Sequence, residues 1–293
     1  MRIADILSDG RVHLSCEVFP PKTFSGIAQV SDVAREIAQL RPAYMSVTYG
    51  AAGTTPGHTL AVARAVQDCG VTPLCHLTCV QSGREHVRQV LSDMKEAGME
   101  NVLALRGDLP RDGAVMRDFR YASELIAFVH AQGDFCVGAA CYPEGHPESG
   151  GRRQDMEFLK RKVDAGVDFL TTQMFFDNSL LYNFLFRMHR AGVHVPVCAG
   201  IMPICDPKQV ARAVKLSGSI MPPRFAAIAD RFADSPAAMM QAGIAFATEQ
   251  IVDLVANGVN NIHLYTMNKP WIARAIMRNL SDIIGLENEG EHV

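Results

Sequence analysis

The sequence has almost no excess of charge of either sign and no long apolar run. It carries 28 Lys and Arg residues against 31 Asp and Glu residues, a formal net charge of −3 over 293 residues. Proteins whose main partner is nucleic acid or an anionic membrane usually carry a marked positive excess, so we expect neither partner. No apolar stretch approaches the roughly 20 residues that span a bilayer, and residues 1–10 lack the pattern of a signal peptide.

Two motifs are also absent. None of the 8 cysteines forms a Cys-x-x-Cys pair, and their spacing matches no set of zinc ligands. Most of them lie in apolar, strand-like runs, where cysteine behaves as a small hydrophobic residue. We therefore expect reduced thiols, no metal site and a cytoplasmic location. The second missing motif is Gly-x-Gly-x-x-Gly, which normally follows the first strand of a dinucleotide-binding open sheet.

Strand-like apolar runs alternate with segments of helical periodicity along the chain. The predicted strands are residues 12–19, 43–50, 72–79, 101–105, 135–142, 167–176, 195–201 and 261–266. Predicted helices cover about 28–40, a segment ending near 70, then 84–97, 121–131, 152–165, 180–191, 208–216, 223–229, 236–257 and 271–284. Eight strand–helix units predict an α/β fold, a (β/α)8 TIM barrel forming a single domain over 1–293. The rival doubly wound sheet would carry the missing glycine motif.

Polar side chains stand at the carboxyl ends of the predicted strands, where barrel enzymes place their chemistry. Alternation in the first strand puts Leu14, Cys16 and Val18 on one face and Ser15 and Glu17 on the other. The ring formed by such strand ends comprises Glu17, Thr48, His76, Arg106, Asp108, Tyr142, Gln173 and Tyr265. A ring of this kind predicts a ligand pocket.

Two of these residues, Glu17 and Asp108, are carboxylates. Like charge and partial burial raise the pKa of at least one of such a pair, which could then donate a proton. One of Lys160, Arg161 and Lys162 can also turn toward a phosphate, because helical spacing separates their directions. The residues alone thus predict a barrel enzyme with acid–base chemistry. They leave open a cofactor-free lyase or transferase and a non-catalytic binding barrel.

Several longer motifs add a family resemblance. They are residues 17–23 (EVFPPKT), 46–51 (SVTYGA), 76–79 (HLTC), 103–110 (LALRGDLP), 142–147 (YPEGHP), 160–166 (KRKVDAG), 173–177 (QMFFD), 200–203 (GIMP) and 265–268 (YTMN). Together they make the chain resemble the methylenetetrahydrofolate reductases, from the first strand to the last. The resemblance implies FAD at the barrel mouth, NADH or NADPH as electron donor, and methylenetetrahydrofolate as the acceptor that replaces the nucleotide in the same site. The product would be methyltetrahydrofolate, for one-carbon metabolism and methionine biosynthesis.

The resemblance also implies roles for individual residues. Glu17 would be the general acid that helps to open the methylene bridge, and Asp108 would bind the pterin beside the flavin. Further contacts to folate or nucleotide would come from Gln173, Gln209, Tyr265 and Lys269. The positions implied for FAD are Thr48, Tyr49, Ala51, His76, Arg106, Gly107, Asp108, Tyr121, Ala122, Tyr142, His146, Asp155 and Lys162.

The chain departs from the family pattern at three positions. Ala213 replaces an aromatic residue that stacks on the nucleotide, Lys269 replaces an arginine after the last strand, and Phe158 replaces an asparagine near FAD. The first two bear on donor choice and affinity, since lysine lacks the planar fork of arginine. We expect no C-terminal regulatory domain and no control by adenosylmethionine. Association through the outer helices stays open at this stage.

Overall fold

Parallel strands close into a barrel in the computed structural model, which describes residues 1–49, 56–80, 82–109 and 118–285. The strands are β1 His13–Val18, β2 Met45–Val47, β3 Pro73–Thr78, β4 Asn101–Leu105, β5 Cys136–Cys141, β6 Phe169–Thr172, β7 Val197–Ile201 and β8 Asn261–Tyr265. Each strand pairs in parallel with the next along the chain, and β8 pairs with β1. The predicted (β/α)8 barrel is confirmed.

Helices surround this barrel. They are α1 Ile3–Leu7, α2 Ile27–Ala38, α3 Pro56–Asp68, α4 Arg84–Glu96, α5 Ala122–Gln132, α6 Arg152–Asp164, α7 Asn178–Arg190, α8 Pro207–Ser217, α9 Pro223–Arg231, α10 Pro236–Ala256 and α11 Pro270–Asn279. A short 3-10 helix, Phe24–Gly26, precedes α2. Among the helices described here, none is both long and apolar enough to cross a bilayer.

Side chains of β1 alternate between the outer apolar layer and the barrel interior, as predicted. Leu14, Cys16 and Val18 are at most 3% exposed and belong to the apolar layer between the barrel and its helices. Ser15 and Glu17 face the barrel interior, where Ser15 contacts β8. The pattern therefore places Glu17 at the inner end of β1, at the mouth of the barrel.

Several predicted elements were too long. β6 ends at Thr172 instead of residue 176, and β2 covers Met45–Val47 instead of 43–50. After β6, the backbone N–H of Met174 donates to the side-chain oxygen of Gln173 at 2.9 Å, a local bond that competes with the strand ladder. The last helix ends at Asn279, and residues 280–285 form turns.

Helix α1 was not predicted, because five residues are too few to show a helical period. Ile3 and Leu7 are 0% and 6% exposed, and they fill the amino-terminal end of the barrel. Their cluster also contains Tyr44, Leu74, Leu103, Cys136, Phe169 and Cys198. The backbone N–H of Ile3 donates to the Asn101 side chain at 2.9 Å, which fixes the helix against β4. Helix α1 thus closes the barrel at its amino-terminal end.

A helical segment between β7 and β8 builds one wall of the mouth. Helices α8, α9 and α10 enclose a second apolar cluster that includes Phe176, Met202, Ile204, Phe225 and Met239. Gly243 of α10 lies against the chain that follows β7, where a Cβ atom would come within 2.0 Å of the Ile204 carbonyl oxygen. Glycine therefore allows α10 to approach the backbone beneath the mouth.

Candidate active site

Glu17 is a largely buried carboxyl group with a strongly shifted pKa. Its side chain is 20% exposed, and burial raises its pKa from 4.5 to about 8. It is therefore protonated at neutral pH, as a general acid must be. The raised pKa has the predicted direction, and burial, one of the two predicted causes, accounts for it.

His76 stands beside Glu17 at the inner end of β3. Its Nε2 atom lies 3.9 Å from the Glu17 Oε2 atom, and it has no hydrogen-bond partner among the described residues. Burial, together with the nearby His263, lowers the pKa of His76 to about 3. The two neighbours are thus a neutral acid and a neutral imidazole at pH 7.

A polar layer that the sequence analysis missed lies beneath this pair. His263 is 2% exposed and contacts Ser15 and Ser46, with Nδ1 2.7 Å from one hydroxyl and Nε2 3.0 Å from the other. Burial lowers its pKa to about 3, and its ring stacks on Tyr44 with centroids 5.7 Å apart. The sequence did contain a signal for this layer. Ser15, Ser46 and His263 each lie two positions before a residue of the predicted ring, so alternation places them on the same inward face.

Tyr265, Gln173, Gln209 and Lys269 lie on the β6–β8 side of the mouth. The Tyr265 hydroxyl donates to the Thr172 carbonyl at 2.6 Å, and its pKa is raised by burial and by Glu17. The backbone N–H of Cys205 donates to Gln209 at 3.3 Å. The Lys269 Nζ atom lies 5.8 Å from the Trp271 ring centroid. The structure therefore brings these four predicted ligand contacts to one side of the mouth.

Positive charge gathers after β4 and β5. The Arg106 guanidinium makes two bonds to Glu148, at 2.5 and 2.9 Å, and the pair is open to solvent because the Glu148 side chain is 53% exposed. Lys162 turns inward and donates to the Ala140 carbonyl, and burial lowers its pKa. Among Lys160, Arg161 and Lys162 on α6, Lys162 is the residue that points inward, while Lys160 pairs with Asp164.

His146, Asp155 and Tyr142 complete this basic region. The ring centroids of Tyr142 and His146 lie 4.6 Å apart with planes at 74°. Asp155 accepts a backbone hydrogen bond from His146, and burial raises its pKa. Arg187 adds a buried Nε atom with no partner among the described residues. Cations held this way, with one buried donor free, fit a phosphate-bearing ligand such as FAD.

The remaining predicted cofactor positions differ in their access to the mouth. Tyr49 turns its side chain into the layer between barrel and helices, where its hydroxyl lies 3.0 Å from His86 Nε2, so only its backbone could contact a ligand. The carbonyl of Thr48 accepts from Thr59. Gly107 has φ +86°, and a Cβ there would meet Thr78 at 3.1 Å. Tyr121 is the N-cap of α5, and Ala122 is the first residue of that helix.

Four further positions named in the sequence analysis lie at exposed, apolar or undescribed places. Asp108 is exposed near the end of the described stretch 82–109. Ala51 lies outside the described residues. Ala213 is 1% exposed within the apolar cluster of α8–α10. Phe158 is 37% exposed on α6, with the Arg161 guanidinium 5.4 Å from its ring centroid.

The sequence and the fold of the chain are similar to those of known proteins. The family model for methylenetetrahydrofolate reductase matches residues 2–281. The chain belongs to this family. Membership makes it an oxidoreductase of folate metabolism and supports the reduction of methylenetetrahydrofolate. The chain is 31% identical to the 5,10-methylenetetrahydrofolate reductase of Pectobacterium carotovorum subsp. carotovorum, over 92% of this chain and 91% of that protein.

Two other methylenetetrahydrofolate reductases are similar over most of the chain. The Escherichia coli protein is 31% identical, with 94% of this chain and 93% of that protein covered. A maize protein named methylenetetrahydrofolate reductase (NADH) 1 is 35% identical over 95% of this chain, which spans 50% of the maize sequence. Among solved structures, a Clostridium thermocellum protein that binds two copies of 5-methyltetrahydrofolic acid superposes with a TM-score of 0.68 and 14% identity, covering 97% of this chain and 99% of that one. That likeness shows the fold.

Proposed function

We propose that the protein reduces 5,10-methylenetetrahydrofolate to 5-methyltetrahydrofolate with FAD as its cofactor and NADH or NADPH as electron donor. The two substrates would use one site in turn, in a ping-pong reaction. The observation that carries this proposal is the protonated Glu17 at the barrel mouth of a member of this family. A relative and a protein of the same fold support it further: the maize protein is named for NADH, and the Clostridium protein binds 5-methyltetrahydrofolic acid.

Glu17 would act as the general acid. The methylene bridge opens when a bridging nitrogen leaves, and that nitrogen leaves more readily once it is protonated. The buried carboxyl group holds the required proton at neutral pH, and the neutral His76 beside it does not compete by forming a charged pair. Glu17 would regain its proton before the next turnover.

The flavin, when bound, would supply the hydride chemistry. Arg106 and Lys162 would hold its phosphates, with Tyr142, His146 and Asp155 around them. Arg106 can exchange its exposed partner Glu148 for a phosphate, because a guanidinium binds either anion through two parallel bonds. Asp108, Gln173, Gln209, Tyr265 and Lys269 would contact the folate or the nucleotide.

An anaerobic visible spectrum tests the proposal directly. We expect flavin absorption in the purified protein, loss of that absorption on adding NADH or NADPH, and its return on adding methylenetetrahydrofolate. Bands that neither nucleotide bleaches would reject the donor while keeping the cofactor. Protein that stays colourless after FAD is supplied would reject the flavin and favour a cofactor-free lyase or transferase.

Lys162→Met should weaken FAD binding. The substitution removes a cation from the basic region while keeping most of the apolar stem, so we expect the Kd for FAD to rise about tenfold or more, as for loss of a charge-assisted bond. The matched control is Lys160→Met on the same helix, whose lysine pairs with Asp164 at the surface. Flavin fluorescence quenching measures both affinities. Equal affinities in the two variants would contradict the placement of the phosphates.

The folate half-reaction should depend on pH through Glu17. The acid must be protonated, so the rate constant is expected to be level below pH 7 and to fall about tenfold per pH unit above the pKa of about 8. Flavin reduction by the nucleotide needs no proton from Glu17 and should lack this descending limb. Stopped-flow measurement of each half-reaction between pH 6 and 10 gives both profiles. Parallel profiles for the two half-reactions would contradict the assignment.

A further inference from the structure

Glu144 belongs to the YPEGHP motif after β5, yet the site described above gives it no role. Its Oε2 atom accepts a hydrogen bond from the backbone N–H of Ile220 at 3.0 Å, across 76 residues of sequence. Its Oε1 atom is buried and has no partner among the described residues. Half-burial of this carboxylate costs free energy, because burying charge is unfavourable, so its contact with Ile220 must offset part of that cost.

Glu144 contacts a short segment between α8 and α9, residues 218–222, which we call the connector. Ser219 of the connector is 4% exposed, and its hydroxyl donates to the Met174 carbonyl at 2.7 Å. Gly218 adopts φ +69° and lies so close to Pro147 that a Cβ would meet it at 3.0 Å. The connector therefore lies across the carboxyl ends of β5 and β6.

Hydrophobic packing of the middle residue does not hold the connector in place. The Ile220 side chain is 63% exposed, so its contribution to anchoring comes from its backbone N–H. The connector's contact at Met174 is next to Gln173, one of the residues assigned to substrate. The Glu144 bond thus fixes the connector beside the place where folate would bind.

We propose that Glu144 is a positioning residue: its carboxylate holds the connector against the ends of β5 and β6, so that the connector forms a wall of the folate site. This inference rests on the proposed function for its effect on substrate. The hydrogen bond itself can be tested without any substrate. Glu144 does not contact the reacting atoms in this scheme, so the proposal separates binding from chemistry.

Two variants of Glu144 test the proposal. Glu144→Ala removes the acceptor, so hydrogen exchange at the Ile220 amide should become about tenfold faster or more, as expected for loss of a bond to a charged group. The KM for methylenetetrahydrofolate should rise about tenfold, with kcat within about twofold of the wild-type value. Glu144→Gln keeps a carbonyl acceptor in nearly the same place, so it should restore both quantities to within about twofold of wild type.

Each outcome decides a separate part of the proposal. Unchanged exchange at Ile220 in Glu144→Ala would reject the anchoring bond. Faster exchange with an unchanged KM would reject the role in substrate binding. A Gln variant that behaves like the Ala variant would reject the hydrogen-bond acceptor as the cause. Failure of the wild-type protein to reduce methylenetetrahydrofolate would reject the proposed function, and the exchange measurement would still report on the anchoring bond.

Discussion

Replacing Glu17 by Gln is expected to reduce the rate of folate reduction by about 100-fold to 10,000-fold, the usual contribution of a general acid. Gln has the same shape, but it cannot release a proton to the bridging nitrogen. Flavin reduction by the nucleotide should stay within about threefold of wild type, because that half-reaction does not use this proton. Stopped-flow spectroscopy of the two half-reactions measures both rates.

The control for this substitution is Glu85→Gln, which makes the same change at a side chain that is 85% exposed. It should leave both half-reactions unchanged. A Glu17→Gln protein that reduces folate at the wild-type rate would show that another group supplies the proton. Loss of both half-reactions together would show instead that Glu17 shapes the site without donating a proton.

Stability provides a second readout of the Glu17 substitution. The carboxyl group has an ordinary pKa of 4.5 when it is exposed to water and a pKa of about 8 in the folded protein, so folding takes up a proton between these values. The native state therefore loses stability as the pH rises through this window. Gln removes that cost, and we expect the variant to melt at a higher temperature than wild type at pH 7.5. The acid is thus maintained at the expense of stability.

Gly243→Ala is expected to destabilise the protein by about 3 kcal/mol or more, at the upper end for overpacking. The added Cβ would meet the Ile204 carbonyl oxygen at 2.0 Å and the carbonyl carbon at 2.8 Å. Both atoms belong to the backbone, so no side-chain rotation relieves the clash. Helix α10 would have to move away from the chain that follows β7. Urea denaturation monitored by circular dichroism measures the free energy of unfolding.

Gly57→Ala is the matched control for this second prediction. Gly57 also lies in a helix, α3, but a Cβ there meets no atom of the described residues within 4 Å. Alanine should therefore stabilise the protein by about 0.5–1 kcal/mol through its better helix propensity. Equal stabilities of the two alanine variants would contradict the close approach of α10.

The sequence pattern predicted the barrel because its main signals are local. Alternating polarity in β1 placed Glu17 inward, and the repeated strand–helix units specified eight parallel strands. Features that depend on distant contacts could not be predicted in the same way. Periodicity on α6 could not tell which of Lys160, Arg161 and Lys162 turns inward. The answer depends on where β5 presents the Ala140 carbonyl.

In the candidate site, too, local patterns predicted some features, and distant contacts determine the others. Glu17, His76 and Tyr265 occupy the barrel mouth as alternation predicts. The raised pKa of Glu17 comes from burial by the completed barrel, and the extent of that burial could not be predicted from residue types alone. Tyr49 points outward with Met45 and Val47, as a period of two predicts, and its side chain packs against His86 instead of entering the mouth. The contact of Glu144 with Ile220 joins residues 76 positions apart, so local sequence pattern could not predict it.

The closed end of the barrel has a consequence for the order of folding. Ile3 and Leu7 pack against Phe169 and Cys198, residues that follow them by more than 150 positions. Contacts of such long sequence separation form late, since the intervening chain must first be ordered. Complete burial of Ile3 and Leu7 is therefore expected only after β6 and β7 have joined the sheet. Docking of α1 then closes the amino-terminal end of the barrel. The amino-terminal segment would thus stabilise a sheet whose strands have already paired.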